Sequence, residues 1–435
     1  MKILKTIRNT IIILLQLVII PALLLVFYIA LIYFTNGYGN GLIAAVLTTF
    51  LAILLLYILF KRGWASNKFK FAGLFLPVIL SLAFIIYTLI PVASSGKINK
   101  VPGPAHVTTK YWNLDTGSRI AYYKLPAKIG TVKKTTPIIF LHGGPGAYVR
   151  QRDIDFFSMF TDDGYDVYLY DQAGGGRSDL LPKALYSHQR NIHDFEAIIN
   201  IINAKQYIVV GQSYGGTLLA HIAATEKLSK RIAKAIYAEP GVSVASKSED
   251  NKVFAKSPHA SPGDVSLPVR LLISILICPK GEFTSQNETI NYLLDNKPLI
   301  QGLFKESYPK KDTAIIPTVD ISVINFAANS AIKLDAVRPA DDLAINYKRY
   351  KVPSMLMLGE SSYIERNAPM DLLLINPNIK SVQYVQGVGH ILWNGLYSNN
   401  KRVKKIMDQF LNNQNTDVPN YPDKNTIEAF LKQRL

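Results

Sequence analysis

The sequence predicts a membrane region followed by one large α/β domain, and two patterns along the chain give this expectation. The first 100 residues contain no Asp or Glu and hold three long uncharged apolar runs. After them, short apolar segments alternate with amphipathic ones, which is typical of a mostly parallel sheet covered by helices on both faces. Apolar residues make up 49% of the 435 residues and charged residues 18%, which excludes a disordered chain. A single cysteine, Cys278, excludes an internal disulfide framework and a thiolate zinc cluster.

The apolar runs lie at about residues 10–34, 41–60 and 71–92. Each meets the length of roughly 20 residues that a helix needs to cross the hydrocarbon core of a bilayer. We therefore predict three transmembrane helices within a membrane region of residues 1–95. Residues 96–110, rich in Pro, Gly, Ser and Lys, are the predicted linker.

The position of the basic residues predicts an orientation. The net charge is +17, and nine of the bases lie in the acid-free first 100 residues. The N-terminus and the second loop are basic and the first loop is not, so the positive-inside rule places the N-terminus in the cytoplasm. Lys97 and Lys100 oppose this orientation. We expect an integral protein of a bacterial plasma membrane, with a lipid bilayer as partner and the large domain on the non-cytoplasmic side. The remaining bases form no recognition motif, so no nucleic-acid partner is expected.

The α/β domain is predicted over residues 111–435. The expected strands are a hairpin in Tyr111–Ala127, then Pro137–Leu141, Asp166–Tyr170, Tyr207–Val210, Ala233–Ala238, Pro353–Leu358 and Val382–Val385; the expected helices are Ser187–Ala204, Tyr214–Glu226 and Lys401–Leu411. Residues 241–350 contain no clear strand and predict a cap insertion. Its apolar stretch Leu271–Cys278 is interpreted as a core helix of the cap, or alternatively as a membrane-facing lid.

A nucleophile motif lies between a predicted strand and a predicted helix. Gly211-Gln212-Ser213-Tyr214-Gly215 has the G-x-S-x-G pattern, which presents a serine hydroxyl on a sharp strand-to-helix turn. Ser213 is therefore the predicted nucleophile.

Two further loops follow predicted strands. His142-Gly143-Gly144-Pro145-Gly146 can bring a backbone N–H close to a developing oxyanion because glycines permit the approach. We predict an oxyanion hole formed by the N–H groups of Gly144 and Tyr214, and we interpret His142 as structural. The segment from Asp171 to Ser178 (DQAGGGRS) is interpreted as a brace for that loop.

The order HGGPG, DQxGxGxS, GxSxG resembles α/β-hydrolase fold serine hydrolases, and among them most the prolyl aminopeptidase (proline iminopeptidase) family. The resemblance extends over about Tyr111 to Leu411 and does not include the apolar runs. It implies an α/β-hydrolase fold, an acyl-enzyme mechanism, a small peptide substrate, and no metal or organic cofactor. Tyr214 departs from the family, which usually has Trp there. The family places its histidine after the last strand, where Gly387-Val388-Gly389-His390 lies, so His390 is the predicted base.

The triad acid is the uncertain element, because the family pattern G-x-x-D has Ser362 at the Asp position after Gly359. Glu239, which directly follows the predicted strand Ala233–Ala238, is the favoured acid. Glu360 is the alternative, and the chain could also lack the acid.

The favoured function is a membrane-anchored serine hydrolase of the prolyl-aminopeptidase type that acts on small peptides. An esterase or lipase, with an ester substrate, is the alternative among enzymes. Because Ser362 replaces the expected Asp, a catalytically inactive membrane-bound scaffold is the alternative of another class.

Overall fold

The computed structural model describes residues 2–35, 40–62, 68–89, 101, 103–241, 286–295, 325, 328, 329, 332, 340–360, 362, 367–393, 397–416 and 429. The chain divides into two compact units. The first comprises Met1–Ile98 with the short segments Pro182–Ala184 and Ser266–Thr289, and the second comprises the remaining residues.

Three helices lie within the Met1–Ile98 part of the first unit. They are α1 (Lys2–Thr35), α2 (Asn40–Lys61) and α3 (Lys68–Phe84), which continues as a π-helical turn over Ile85–Leu89. Ala44, Ala45 and Ala52 of α2 are buried, and their small side chains let the helices approach closely. The outer side chains are apolar as well: Val18, Phe50 and Tyr87 are 68%, 66% and 88% exposed.

One helix in the described part of the chain, Gly41–Leu59, is long and apolar enough to cross a membrane by length and composition. The apolar helices Leu17–Ile32 and Phe75–Leu89 are shorter. All three predicted runs are therefore helical where described, while three membrane crossings stay a prediction.

The second unit contains an eight-stranded mixed sheet in the order β1-β2-β4-β3-β5-β6-β7-β8. Its strands are β1 (Lys110–Asn113), β2 (Arg119–Leu125), β3 (Ile138–Leu141), β4 (Val167–Tyr170), β5 (Tyr207–Gln212), β6 (Ile232–Ala238), β7 (Ser354–Gly359) and β8 (Ile379–Val385). β2 pairs antiparallel with β1 and β4, and the other pairs are parallel. This confirms the predicted hairpin and the mostly parallel sheet. The carboxyl ends of β3 to β8 meet at one edge, where α/β folds place their ligand sites.

Helices cover this sheet on both faces. They are α4 (Gln151–Ser158), α5 (His188–Ile202), α6 (Tyr214–Ala223), α7 (Glu226–Ser229), α9 (Ala340–Arg349), α10 (Asn367–Ile375) and α11 (Tyr397–Leu411). A further helix, α8 (Gln286–Asp295), begins in the first unit and ends in the second. Alternate residues of β3 enter separate cores: Ile139 and Leu141 pack in one hydrophobic cluster, and Ile138 and Phe140 in another. Such alternation is expected of a strand buried on both faces.

The predicted cap falls mostly outside the described residues, and Leu271–Cys278 lies wholly outside them. Within residues 241–350 the structure describes Gly241, α8, four residues from Asn325 to Ile332, and the segment that contains α9.

Candidate active site

Ser213 occupies a sharp turn between β5 and α6. Its φ of 54° and ψ of −121° lie in a region that residues other than glycine rarely adopt, and strain of this kind clusters at functional sites. The flanking glycines are needed for space: a Cβ on Gly215 would lie 2.0 Å from the Leu141 carbonyl oxygen, and one on Gly211 would lie 2.3 Å from the Gly215 carbonyl oxygen. The turn is thus packed directly against the end of β3.

Glu239 follows β6 and is fully buried at this edge of the sheet. Its φ is 49°, also in the left-handed region. Its backbone N–H donates to the Met357 carbonyl at 2.9 Å, and its Oε1 accepts a hydrogen bond from the Gly359 N–H. A carboxylate removed from water is costly unless charges or hydrogen bonds compensate it, so this position favours a cationic or hydrogen-donating neighbour.

His390 is that neighbour. Its side chain is 2% exposed, and Nδ1 lies 3.7 Å from Glu239 Oε2. The same Nδ1 lies 3.4 Å from Ser362 Oγ. From β5, Gln212 Nε2 donates to the His390 carbonyl oxygen at 3.3 Å. An Nδ1 proton directed at these acceptors leaves Nε2 as the ring nitrogen that can accept a proton.

Glu360 has a different place in the structure. Its Oε2 accepts a hydrogen bond from the Gly387 N–H at 2.8 Å, and its own N–H donates to the Val385 carbonyl at 3.0 Å. It therefore joins the end of β7 to the start of the loop that carries His390. The structure brings Glu239 and Ser362 to the imidazole, while the choice of triad acid stays a prediction.

The glycine-rich loop after β3 reaches Ser213. A Cβ on Gly143 would lie 2.9 Å from Ser213 Cβ, so a side chain at this position would displace the serine. Gly144 has a φ of 127°, and a Cβ there would lie 2.7 Å from the Ala147 nitrogen. The loop thus lies directly beside Ser213, and the oxyanion hole formed by the Gly144 and Tyr214 N–H groups stays a prediction.

His142 connects this loop to the Asp171–Ser178 segment, which the sequence analysis interprets as its brace. Its Nε2 accepts a hydrogen bond from the Gln172 N–H at 2.9 Å, and Gln172 Nε2 donates to the His142 carbonyl at 2.8 Å. Burial lowers the pKa of His142 to about 4. The ring is therefore neutral near pH 7, with its proton on Nδ1, which donates to the Gly143 carbonyl at 2.7 Å.

Tyr214, next to Ser213, is anchored by residues that the sequence analysis did not identify. Its hydroxyl lies 3.0 Å from His188 Nδ1 and accepts from Asn191 Nδ2 at 2.9 Å. The His188 ring contacts that of His221 edge to face, with centroids 4.3 Å apart. His188 and Asn191 stand three positions apart on one face of α5, a spacing visible in the sequence, but nothing local connects that face to Tyr214.

The other side of the His390 loop is held by Trp393. Its indole Nε1 donates to Asp153 Oδ1 at 2.7 Å, and its ring stacks on Phe156 at 4.8 Å. Trp393 is fully buried. Because it lies three residues after His390, this contact restricts where the histidine loop can go. The sequence analysis did not identify this pair either.

A segment within the predicted cap range binds the glycine-rich loop. Asn325 donates from its N–H to the Gly146 carbonyl at 3.0 Å and from Nδ2 to the Gly174 carbonyl at 2.9 Å. Asn329 Nδ2 donates to the Pro145 carbonyl at 2.8 Å. Both asparagines are buried. No signal in the sequence predicts these contacts.

The residues gathered at this edge can perform nucleophilic chemistry: a strained serine, a buried histidine with a carboxylate beside it, and a glycine-rich loop against the serine. Among the side chains that the structure describes, no group of three or more His, Cys, Asp or Glu could hold a metal ion.

Comparison with known proteins agrees with this description. The family described as alpha/beta hydrolase fold matches residues 136–300, and the sheet order and the turn at Ser213 define the α/β-hydrolase fold. Within that fold, the similarity is to proline iminopeptidases. The chain is 29% identical over 138 residues to one from Heyndrickxia coagulans, and this match covers 32% of this chain and 45% of that protein. It is 28% identical over 99 residues to one from Lactobacillus helveticus (strain DPC 4571), 22% of this chain and 32% of that protein.

Among solved structures, a proline iminopeptidase from Mycobacterium smegmatis matches with a TM-score of 0.46 at 16% identity, over 70% of this chain and 98% of that one. The two sequence matches, in contrast, span less than half the length of the curated proline iminopeptidases.

Proposed function

We propose that the protein is a membrane-anchored serine hydrolase of the prolyl-aminopeptidase type that acts through an acyl-enzyme. One observation carries the proposal: the fully buried Glu239 carboxylate lies 3.7 Å from Nδ1 of the buried His390, at the sheet edge where Ser213 occupies its strained turn. A buried charge facing an imidazole is what stabilises the imidazolium formed when a serine gives up its proton. The similarity to proline iminopeptidases supports the peptide substrate class.

In the proposed reaction, His390 Nε2 takes the Ser213 proton while Oγ attacks the substrate carbonyl carbon. The Glu239 carboxylate stabilises the imidazolium. The N–H groups of Gly144 and Tyr214 hold the oxyanion, and two such donors contribute several kcal/mol in the transition state. The imidazolium then protonates the leaving amine, and water, with its proton taken by His390, hydrolyses the acyl-enzyme.

Membrane anchoring is supported by the first unit. Its helices expose Val18, Phe50 and Tyr87 on their outer sides, whereas a helix at the surface of a soluble protein turns polar residues outward. Two buried hydroxyls of these helices donate within their own helix: Thr48 Oγ1 to the Ala44 carbonyl at 2.7 Å, and Ser81 Oγ to the Pro77 carbonyl at 2.5 Å. Such internal pairing suits a lipid environment, which supplies no hydrogen bonds.

The anchoring and the orientation are tested in membranes of the expressing cell. Resistance of the chain to extraction with alkaline carbonate would support an integral protein, and release into the supernatant would refute it. Cleavage of the hydrolase unit by protease added outside spheroplasts would support the non-cytoplasmic placement. Protection in spheroplasts, with cleavage after lysis, would refute that orientation.

The catalytic proposal is tested with the full-length protein in detergent. A fluorophosphonate probe labels activated serines, and we expect it to label the wild type and not the Ser213→Ala variant. Absence of labelling in the folded wild type would support the inactive scaffold instead.

The substrate class is tested with a panel of aminoacyl-naphthylamides, prolyl-naphthylamide among them, and nitrophenyl esters of increasing chain length. Preference for the prolyl amide supports the aminopeptidase. Preference for the esters supports the esterase or lipase, which the apolar first unit also favours because it would hold the enzyme at a lipid surface.

A further inference from the structure

We propose that the Ser362 hydroxyl is a second acceptor for the Nδ1 proton of His390, and that it orients the ring while Glu239 supplies the negative charge. Ser362 is thus a positioning residue. This inference rests on the proposed hydrolase function, because it concerns the same histidine.

Two oxygen atoms lie within reach of the His390 Nδ1 proton. Ser362 Oγ lies at 3.4 Å and Glu239 Oε2 at 3.7 Å. An N–H···O hydrogen bond is usually 2.7–3.2 Å long, so neither acceptor alone holds the proton at an optimal length. A proton shared between the two uses both acceptors and fixes the plane of the ring.

Both acceptors lie close to the end of β7. Gly359 donates its N–H to Glu239 Oε1, and Ser362 follows three positions later in the sequence. Gly359 also contacts the histidine loop, since a Cβ there would lie 2.2 Å from the Gly389 carbonyl oxygen. Gly359, at the end of β7, therefore contacts both the carboxylate and the loop that carries His390.

The two acceptors have different chemical roles. A carboxylate stabilises the imidazolium by its charge, whereas a neutral hydroxyl contributes direction and little charge. The Nδ1 proton stays on His390 throughout, and the proton from Ser213 moves only to and from Nε2. A carboxylate placed at position 362 would therefore face the same Nδ1 as Glu239 does.

The experiment compares Ser362→Ala, Ser362→Thr and Glu239→Gln with the double variant Glu239→Gln/Ser362→Asp, all as full-length protein in detergent. The substrate is whichever naphthylamide or ester the wild type hydrolyses fastest. We expect Ser362→Ala to lower kcat about fivefold with KM unchanged, because a misdirected ring affects the transition state rather than substrate binding. Ser362→Thr keeps the hydroxyl and should retain most of kcat. The double variant should recover at least tenfold over Glu239→Gln.

Rescue by the conservative variant separates positioning from a merely structural role. Ser362→Ala removes the hydroxyl that faces Nδ1, and Ser362→Thr keeps it. A side chain that only fills space there would give both variants the same kcat, whereas a positioning hydroxyl predicts a lower kcat for the Ala variant alone.

The inference is overturned if Ser362→Ala has wild-type kcat, or if the double variant melts like the wild type and still shows only the activity of Glu239→Gln. If the double variant does not fold, the kcat values of Ser362→Ala and Ser362→Thr decide: equal values would overturn the inference. Absence of fluorophosphonate labelling in the folded wild type would instead refute the serine hydrolase function itself, so the two failures are distinguishable.

Discussion

Replacing Glu239 by Gln removes the buried charge beside His390 and leaves the shape of the side chain almost unchanged. At the observed 3.7 Å, an effective dielectric constant of about 20 gives a carboxylate–imidazolium attraction of about 4.5 kcal/mol. Loss of that attraction in the transition state lowers kcat by roughly 10³-fold. Gln can keep the hydrogen bond from the Gly359 N–H through its amide oxygen, so we expect the variant to fold.

The assay is the initial rate of hydrolysis by full-length protein in detergent, with the melting temperature measured on the same samples. Glu360→Gln is the matched control, because its amide oxygen can still accept from the Gly387 N–H and because Glu360 is the competing candidate for the triad acid. We expect Glu360→Gln to stay within about threefold of the wild type, which corresponds to a change of under 1 kcal/mol, because its hydrogen bond is kept. A Glu239→Gln variant with full activity, or a Glu360→Gln variant with the large loss, would refute the reasoning.

Three further predictions concern the residues around the site. Trp393→Phe removes the buried hydrogen bond to Asp153 Oδ1 and should lower the free energy of unfolding by about 2–3 kcal/mol, seen as a lower melting temperature together with a reduced kcat; an unchanged melting temperature would contradict it. Tyr214→Phe removes the hydroxyl held by two side chains of α5 and should lower kcat with KM unchanged. A lower melting temperature without any change of kcat would assign the hydroxyl to folding alone. Burial raises the pKa of Asp171 to about 7 from 3.8, so the folded state binds this proton more tightly than the unfolded state. Its contribution to stability is present below about pH 4 and is lost as the pH rises to about 7. The melting-temperature difference between the wild type and Asp171→Asn should therefore change over this range, and a constant difference would refute the shift.

The sequence predicted the strands of the second unit closely, since apolar segments of four to seven residues between turn residues have few other structures available. The predicted helix Tyr214–Glu226 is shorter in the structure: α6 ends at Ala223, and Glu226 begins the short helix α7. Helix ends depend on local caps and on neighbouring elements, so they are the least predictable part of such an element.

By itself, the sequence determined the local features: the glycine-flanked turn that exposes Ser213, the histidine after the last strand, and the apolar helices that precede the domain. The turn and the apolar helices follow from patterns within a few tens of residues, where backbone sterics and hydrophobic periodicity act, whereas the histidine is what the family resemblance implies. It left the triad acid open between Glu239 and Glu360, because both follow sheet strands and a short pattern does not say which carboxylate points at a distant ring.

Only the tertiary structure decided which side chains meet. Parallel pairing of β6 with β7 and of β7 with β8 brings Glu239 to Gly359, 120 residues away along the chain, and to His390 beyond it. The same packing directs Glu360 to Gly387 and joins Trp393 to Asp153 and Tyr214 to α5. Contacts of this kind arise from strand order and register across the whole sheet, which no local stretch of sequence contains.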